Sequence, residues 1–238
     1  MPRPVYIPEA PEITVVETAD ELFAHKRADH ESMILLPRPI SGCFNDLAIW
    51  LLRRHPACDA MTSDGSQYLP VCYRVGDLEG LKEENGMDWP DELALICGDM
   101  HRMEQAKRVT AELRVIREKA YHPSTYEFHQ DGAGQVTTSL TEEVGRLMCC
   151  YNDPVTECLL IADAHPVYLT GLGFSGIFLA KDDAKPYRPG VGDMWRQVCM
   201  GQGGYPLVHR AVPIEPAGRR FPWIGPRSWN PPRLLTVC

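Results

Sequence analysis

The sequence YEFHQDG at residues 126–132 carries the pattern that decides the predicted fold. Successive side chains of a β-strand point to opposite faces, so His129 and Asp131, two residues apart, point to the same face. A histidine nitrogen and a carboxylate oxygen on one face can bind a single metal ion. Gly132 and Gly134 follow and allow the chain to turn away. The segment therefore predicts a strand that ends beside a metal ion.

The candidate for a third ligand is His209, in the apolar segment PLVHRAV at residues 206–212. Two histidines and one carboxylate on one side of an ion leave positions open for other molecules, as in non-haem Fe(II) enzymes. We predict that His129, Asp131 and His209 hold a mononuclear Fe(II) ion. The alternative is that His129 hydrogen-bonds Asp131 while His209 is an ordinary core histidine. Asp193, in the sequence VGD, is expected to cap a turn rather than to bind metal.

Short runs of apolar or β-favouring residues, separated by Gly, Pro, Asn and Asp, surround these residues. They lie at residues 125–129, 146–151, 158–162, 167–171, 176–180, 192–198, 206–212 and 233–237. Such a series predicts a β-sandwich or barrel. We predict one domain of the α+β class. Its core is a jelly-roll-like β-half in residues 121–238, packed against a mainly helical part at residues 1–120.

Two helices are predicted in the N-terminal part. The segment NDLAIWLLR at residues 45–53 gathers the apolar residues of a buried helix. Pro90 suits the first turn of a second, longer helix. Apolar residues from Leu93 to Ile116 recur at mostly three- and four-residue spacing, which predicts a helix that continues to about Lys119. We expect this helix to pack on the sheet and to carry no chemistry.

Composition and charge restrict the partners and the compartment. The 238 residues carry a net charge of -8, and an acidic surface repels phosphate backbones, so no nucleic-acid partner is expected. No apolar run is long enough to cross a membrane, and the first residues lack the apolar stretch of a secretory signal.

The nine cysteines include no CxxC pair, which argues against a zinc ribbon. We expect a cytoplasmic protein with reduced cysteines that mostly pack in the core, the vicinal Cys149 and Cys150 included. Nothing indicates an oligomeric state.

Five segments resemble a known family. They are FHQD (128–131), GRLMCCYNDPVTECLL (145–160), PGVGDMWR (189–196), VHRAVPI (208–214) and RLLTV (233–237). They resemble segments of the bacterial and fungal domain-of-unknown-function family 1826. The order HxD…H also resembles the double-stranded β-helix of the Fe(II)/2-oxoglutarate oxygenases. The resemblance covers about residues 120–238 and departs at residues 132–145 and 215–232, where this chain is longer. It implies a fold and a metal site, but no substrate.

The resemblance also implies an anchor for the cosubstrate. In the 2-oxoglutarate oxygenases an arginine or lysine shortly after the second histidine binds the far carboxylate of 2-oxoglutarate. The planar guanidinium group suits this role because it can grip a carboxylate with two hydrogen bonds. Arg233, which opens the segment RLLTV, is the preferred candidate, and Arg220 and Arg146 are alternatives. Arg210 directly follows His209, so strand alternation is expected to turn it to the opposite face.

Three functions remain open from the sequence. The leading hypothesis is an oxidoreductase, a 2-oxoglutarate-dependent Fe(II) dioxygenase that oxidises an unidentified small molecule with molecular oxygen. Its catalytic residues are the metal ligands His129, Asp131 and His209. The second hypothesis is a cupin-like Fe(II) dioxygenase that binds its substrate directly and needs no 2-oxoglutarate. The third is a metal-free β-fold protein that serves as a binding module or scaffold.

Overall fold

The computed structural model describes residues 8–54, 71–83, 89–116, 128–131, 146–153, 155–169, 175–198, 207–210 and 232–238. Within these ranges the chain forms four α-helices and twelve β-strands. The helices are α1 (Ala19–Ala24), α2 (Phe44–Arg54), α3 (Val75–Glu83) and α4 (Pro90–Lys107). The strands are β1 (Ile13–Val15), β2 (Met33–Leu36), β3 (Val71–Tyr73), β4 (Glu112–Ile116), β5 (Phe128–Asp131), β6 (Arg146–Cys150), β7 (Glu157–Leu159), β8 (Ala164–Leu169), β9 (Ser175–Ala180), β10 (Met194–Gln197), β11 (Val208–Arg210) and β12 (Arg233–Val237).

The strands form two sheets. The large sheet has seven strands in the order β1-β2-β10-β6-β12-β4-β3, and the small sheet has five in the order β7-β11-β5-β9-β8. Neighbouring strands are antiparallel except for the pair β1 and β2. Consecutive strands β4, β5, β6 and β7 belong alternately to the large and the small sheet, and so do β10, β11 and β12. The α+β class with mainly antiparallel strands is therefore confirmed.

The large sheet is covered on both faces, as strand β6 shows. Its residues Leu147 and Cys149 join a buried cluster with residues of α2 and α4. Met148 and Cys150 point to the other face and join a second cluster with Cys158 of the small sheet. The space between the two sheets is thus an apolar layer distinct from the helical layer. The expected core packing of the two vicinal cysteines is confirmed, and they lie on opposite faces.

The predicted extent of the second long helix is wrong. Helix α4 begins at Pro90 as predicted but ends at Lys107, because Arg108 adopts a left-handed conformation with φ 55° and ψ 31°. After a short turn the chain continues as β4, in which Leu113 and Val115 are buried at a spacing of two. Leu113 also fits the helical spacing of the apolar residues from Leu93 to Ile116, and this spacing led to the prediction of a longer helix. None of the helices in the described ranges combines the length and the apolar character that a membrane crossing requires.

The part of the chain before residue 120 is more mixed than predicted. It contains all four helices of the described ranges, and α2 matches the helix predicted at residues 45–53. It also contributes β1, β2, β3 and β4 to the large sheet. The helical layer and the sheets therefore do not separate at residue 120.

A buried ion pair fixes α4 on the large sheet. Arg38 donates from Nη1 and Nη2 to the two carboxylate oxygens of Asp99, over 2.7 and 2.6 Å. The hydroxyl group of Tyr151, the residue after β6, donates a hydrogen bond to Asp99 over 2.9 Å. Asp99 is only 2% exposed, so its charge depends on these donors. The network joins the segment after β2, helix α4 and the end of β6.

The turn before β10 contains the aspartate that was predicted to cap it. Asp193 accepts the backbone N–H groups of Gly190, over 2.6 Å, and of Arg38, over 2.8 Å. Gly192 beside it has φ +89°, a conformation that favours glycine. The expectation that Asp193 caps a turn is confirmed.

Candidate metal-binding site

The two histidines predicted as ligands are cross-strand neighbours. His129 lies in β5 and His209 in β11, and the two residues are directly opposite each other in this antiparallel pair. Their ring centroids are 4.6 Å apart and their ring planes are inclined by 51°. His209 is 7% exposed, whereas His129 is partly buried. The structure therefore brings together two residues that are far apart in the sequence.

The spacing of the two rings fits two ligands of one ion. Imidazole nitrogens bind transition metals at about 2.1 Å, which places each ring centroid about 3.2 Å from the metal. Two such rings at right angles around one ion have centroids about 4.5 Å apart. The observed separation of 4.6 Å agrees with this geometry.

The orientation of the His209 ring is set by its own strand. Its Nδ1 lies 3.3 Å from the carbonyl oxygen of Leu207. A carbonyl oxygen can only accept, so Nδ1 is the donor in this contact, and in a neutral ring the lone pair is on Nε2. A backbone carbonyl is one of the usual outer partners that fix the tautomer and the orientation of a metal-binding histidine.

Asp131 is the last residue of β5, and its backbone is paired with Ser175 of β9. It is two residues from His129, so strand alternation assigns both to one face. Its side chain lies outside what the structure describes. Among the side chains that are described, no group of three or more His, Cys, Asp or Glu is placed to hold a metal ion. The role of Asp131 therefore stays a prediction.

The histidine pair lies in a row that crosses the small sheet on the face toward the large sheet. His209 has Cys158 of β7 on its other side, and His129 has Ile177 of β9. Cys158 and Leu207 belong to the apolar layer between the sheets. Burial raises the pKa of Cys158 well above its usual range, and the nearby Glu157 raises it further.

Exposure increases along this row toward β9. Cys158 is 0% exposed and His209 is 7% exposed, while His129 and Ile177 are partly buried. Leu179, two residues beyond Ile177 and on the same face, is 61% exposed. The histidine pair is therefore closed on the β7 side and more open on the β9 side.

Arg233 lies on the face of the large sheet that is turned toward the small sheet. It opens β12 opposite Ile116 of β4, and Ile116 belongs to the apolar layer between the sheets. Leu235 and Val237, in phase with Arg233 along β12, belong to the same layer. Arg233 is 8% exposed. A buried guanidinium on this face can form strong hydrogen bonds with a carboxylate.

Arg146 shares that face but lies at its other end. It opens β6 opposite Gln197 and is in phase with Met148, which belongs to the same layer. Leu235 of β12 is opposite Cys150, so Arg233 is level with position 152, six positions (152 − 146) from Arg146. Six positions along a strand span about 20 Å. The two arginines therefore cannot bind the same small group. The third candidate, Arg220, lies outside the described residues.

Two buried polar atoms in the layer between the sheets have no hydrogen-bond partner within the described part of the chain. They are the indole nitrogen Nε1 of Trp195 and the hydroxyl oxygen of Tyr187. A buried donor without a partner costs about 1–3 kcal/mol. These atoms suit acceptor atoms of a small molecule, such as carboxylate oxygens.

Arg210 faces away from the histidines, as predicted. Its guanidinium contacts the carboxylate of Glu157 on the outer face of the small sheet, over 2.6 Å. Arg188 binds the other oxygen of Glu157 over 2.9 Å. The sequence analysis missed this cluster. The available signal was a glutamate within the otherwise uncharged segment at residues 155–160.

The site is thus defined by the geometry of this chain itself. Two of its three predicted ligands are cross-strand neighbours, and one candidate anchor lies on the face of the large sheet toward the same apolar layer. Comparison with protein-family models, with curated proteins and with solved structures finds no match.

Proposed function

We propose that the protein is a non-haem Fe(II)-dependent oxygenase of the 2-oxoglutarate type, with His129, His209 and Asp131 as the iron ligands. The observation that carries the proposal is the cross-strand histidine pair, with ring centroids 4.6 Å apart. The contact of His209 Nδ1 with the Leu207 carbonyl supports it, because a backbone carbonyl is a usual outer partner of a metal-binding histidine.

The order of the strands supports a double-stranded β-helix. In a jelly roll the chain passes back and forth between two facing sheets. Strands β4 to β7 alternate between the large and the small sheet, and β10 to β12 do the same. Between these two runs, Tyr187 pairs with Cys158 of β7 and extends the small sheet by one bridge. The hairpin of β8 and β9 and the strands β1, β2 and β3 are additions to this pattern.

Each residue of the site has a role in this proposal. The bound iron supplies the activation of molecular oxygen. His129, His209 and Asp131 would hold the iron, and a site with three protein ligands would leave room for the cosubstrate and oxygen. Arg233 binds the far carboxylate of 2-oxoglutarate, because its buried guanidinium faces the space between the sheets. Low exposure strengthens this ion pair by excluding water.

The substrate approaches from the β9 side. This is the side on which exposure increases from His209 through His129 to Leu179. The described side chains of β9 that line the approach, Ile177 and Leu179, are apolar. An uncharged C–H group of a small molecule would therefore be placed beside the ion.

The test is a titration of the purified protein with Fe(II) under anaerobic conditions. We expect the wild-type protein to bind one equivalent, and His129→Ala and His209→Ala to weaken binding by more than about a hundredfold. His165→Ala is the matched control, because His165 is an exposed histidine of the same sheet. Equal binding by the wild-type protein and His129→Ala would contradict the proposed site.

A second measurement separates the two oxygenase hypotheses. The Fe(II)-loaded protein is incubated with 2-oxoglutarate and oxygen, and succinate is measured. Release of succinate by the wild-type protein but not by His209→Ala is expected. Binding of Fe(II) without any release of succinate would favour a dioxygenase that does not use 2-oxoglutarate.

A further inference from the structure

A cluster of charges lies on the outer face of the small sheet, directly behind the histidine pair. We name it the Glu157 brace; it consists of Arg188, Glu157, Arg210 and Phe128. Arg210 donates from Nε to Oε2 of Glu157 over 2.7 Å, and its Nη2 lies 2.6 Å from the same oxygen. Arg188 donates to Oε1 from Nη2 over 2.9 Å and from Nε over 3.3 Å. Each carboxylate oxygen is thus held by one guanidinium group.

The brace also includes an aromatic contact. The guanidinium carbon of Arg210 lies 4.1 Å from the ring centroid of Phe128. Phe128 immediately precedes His129 in β5, and Arg210 immediately follows His209 in β11. A cation over an aromatic face at this distance is attractive. Both histidines are therefore next in sequence to a residue of the brace.

The carboxylate at the centre of the Glu157 brace is buried, and the two arginines that bind it are partly exposed. Glu157 is 6% exposed, whereas the side chains of Arg188 and Arg210 are 51% and 26% exposed. A buried carboxylate needs its partners, so removing its charge loosens both arginines. The strands β7, β11 and β5 then lose one restraint on the outer face and keep the apolar packing of Phe128, Leu159 and Val208.

We propose that Glu157 is a positioning residue for the His129–His209 pair. It touches no ligand of the site and acts through Arg210 and Phe128, which fix β11 against β5. The metal would hold the same two strands from the inner face. This inference rests on the proposed function of the histidines as metal ligands. A pair that is already aligned loses less freedom when it binds an ion, so the brace raises metal affinity.

The chain offers a matched control in its second buried ion pair. Asp99 is 2% exposed and is held by Arg38 and Tyr151, but it lies in the helical layer on the far side of the large sheet. Glu157→Gln and Asp99→Asn each neutralise a buried carboxylate that is bound to arginine. Only Glu157→Gln removes a contact to a strand that carries a predicted ligand, because Glu157 binds Arg210 of β11.

The experiment measures Co(II) binding by optical titration for the wild-type protein and both variants, beside their unfolding free energies in urea. We expect Glu157→Gln to weaken Co(II) binding by about tenfold or more, the effect seen when outer partners of a metal ligand are removed. Asp99→Asn is expected to change it by about twofold or less, because distant sites are nearly independent. Equal effects of the two variants on affinity would overturn the positioning role, since loss of stability alone would then explain both.

A second readout does not need the metal. Proton–proton contacts between the two imidazole rings are measured by nuclear Overhauser effects in the metal-free protein. We expect these contacts in the wild-type protein and in Asp99→Asn, and their loss in Glu157→Gln. Contacts that persist in Glu157→Gln would overturn the inference even if metal binds. Intact contacts in the wild-type protein without any Co(II) binding would instead contradict the proposed function alone.

Discussion

Replacing Asp99 by asparagine removes the charge at the centre of the buried network between α4 and the large sheet. The carboxylate accepts three hydrogen bonds, from Nη1 and Nη2 of Arg38 and from the hydroxyl of Tyr151. An asparagine can accept with one oxygen only, and its amide nitrogen would face donor groups. The variant therefore leaves a buried guanidinium without its counter-charge.

The expected loss of unfolding free energy in Asp99→Asn follows from the burial of the Arg38–Asp99 ion pair. Breaking a buried ion pair by removing one partner costs about 3–5 kcal/mol. The side chain of Arg38 is 21% exposed and keeps its hydrogen bond to the Gly192 carbonyl, so water and this carbonyl partly compensate. We expect the lower end, about 3 kcal/mol, which lowers the Tm of a chain of this length by about 6–12 °C.

The assay is urea denaturation followed by circular dichroism, with Glu79→Gln as the control. Glu79 of α3 contacts His101 of α4 over 3.1 Å, but both side chains are about half exposed, at 54% and 50%. Such exposed pairs contribute about 0–1 kcal/mol. If Asp99→Asn costs no more than Glu79→Gln, the buried network does not dock α4 and the reasoning is refuted.

Three further predictions concern pH, the cosubstrate and a turn. Burial alone would raise the pKa of Glu31, but hydrogen bonds from a hydroxyl, a backbone amide and His25 hold it below its ordinary value. Its contribution to stability is therefore complete above the unfolded pKa of about 4.3 and is lost as the pH falls through the lower folded value. Thermal melts from pH 7 to pH 3 should show a steeper acid loss for the wild-type protein than for Glu31→Gln, and parallel curves would contradict this. Arg233→Leu should raise the apparent KM for 2-oxoglutarate by about tenfold or more without changing Fe(II) affinity, because a charge-assisted contact is worth about 1.5–3 kcal/mol; an unchanged KM would assign the anchor elsewhere. Gly192→Ala should cost about 2 kcal/mol or more in urea, because φ is +89° and the new Cβ would lie 2.7 Å from the Arg38 carbonyl oxygen. A urea unfolding midpoint equal to that of the wild-type protein would show that the turn accommodates the new Cβ without loss of stability.

The strands could be predicted where the signal is local. The segment at residues 233–237 was predicted as a strand, and β12 spans Arg233–Val237. The two-residue spacing of His129 and Asp131 indicated one face because alternation depends on the strand alone. The same rule correctly turned Arg210 away from His209.

Two kinds of feature could not be predicted. One is a contact between residues distant in sequence, and the other is a segment whose apolar residues fit both a helical and a strand spacing. Leu113 fits both the apolar spacing of a helix and the alternation of a strand. The left-handed conformation of Arg108, which ends α4, decides between them. The pairing of Glu157 with Arg210 joins residues 53 positions apart, and no local pattern indicates it. The contact of His129 with His209 was inferred from residue type, and the strand register that creates it was not.

The arrangement of the core bears on what the metal does for the fold. The helical layer and the layer between the sheets each contain a large cluster of buried apolar side chains. The strands that carry the histidines are joined from the outer face by the Glu157 brace. Hydrophobic burial, which scales with apolar area, therefore stabilises the domain independently of the ion. The metal in this proposal contributes local order at one strand pair. We therefore expect the chain to stay folded without the ion, unlike small metal-binding domains that are unfolded without theirs.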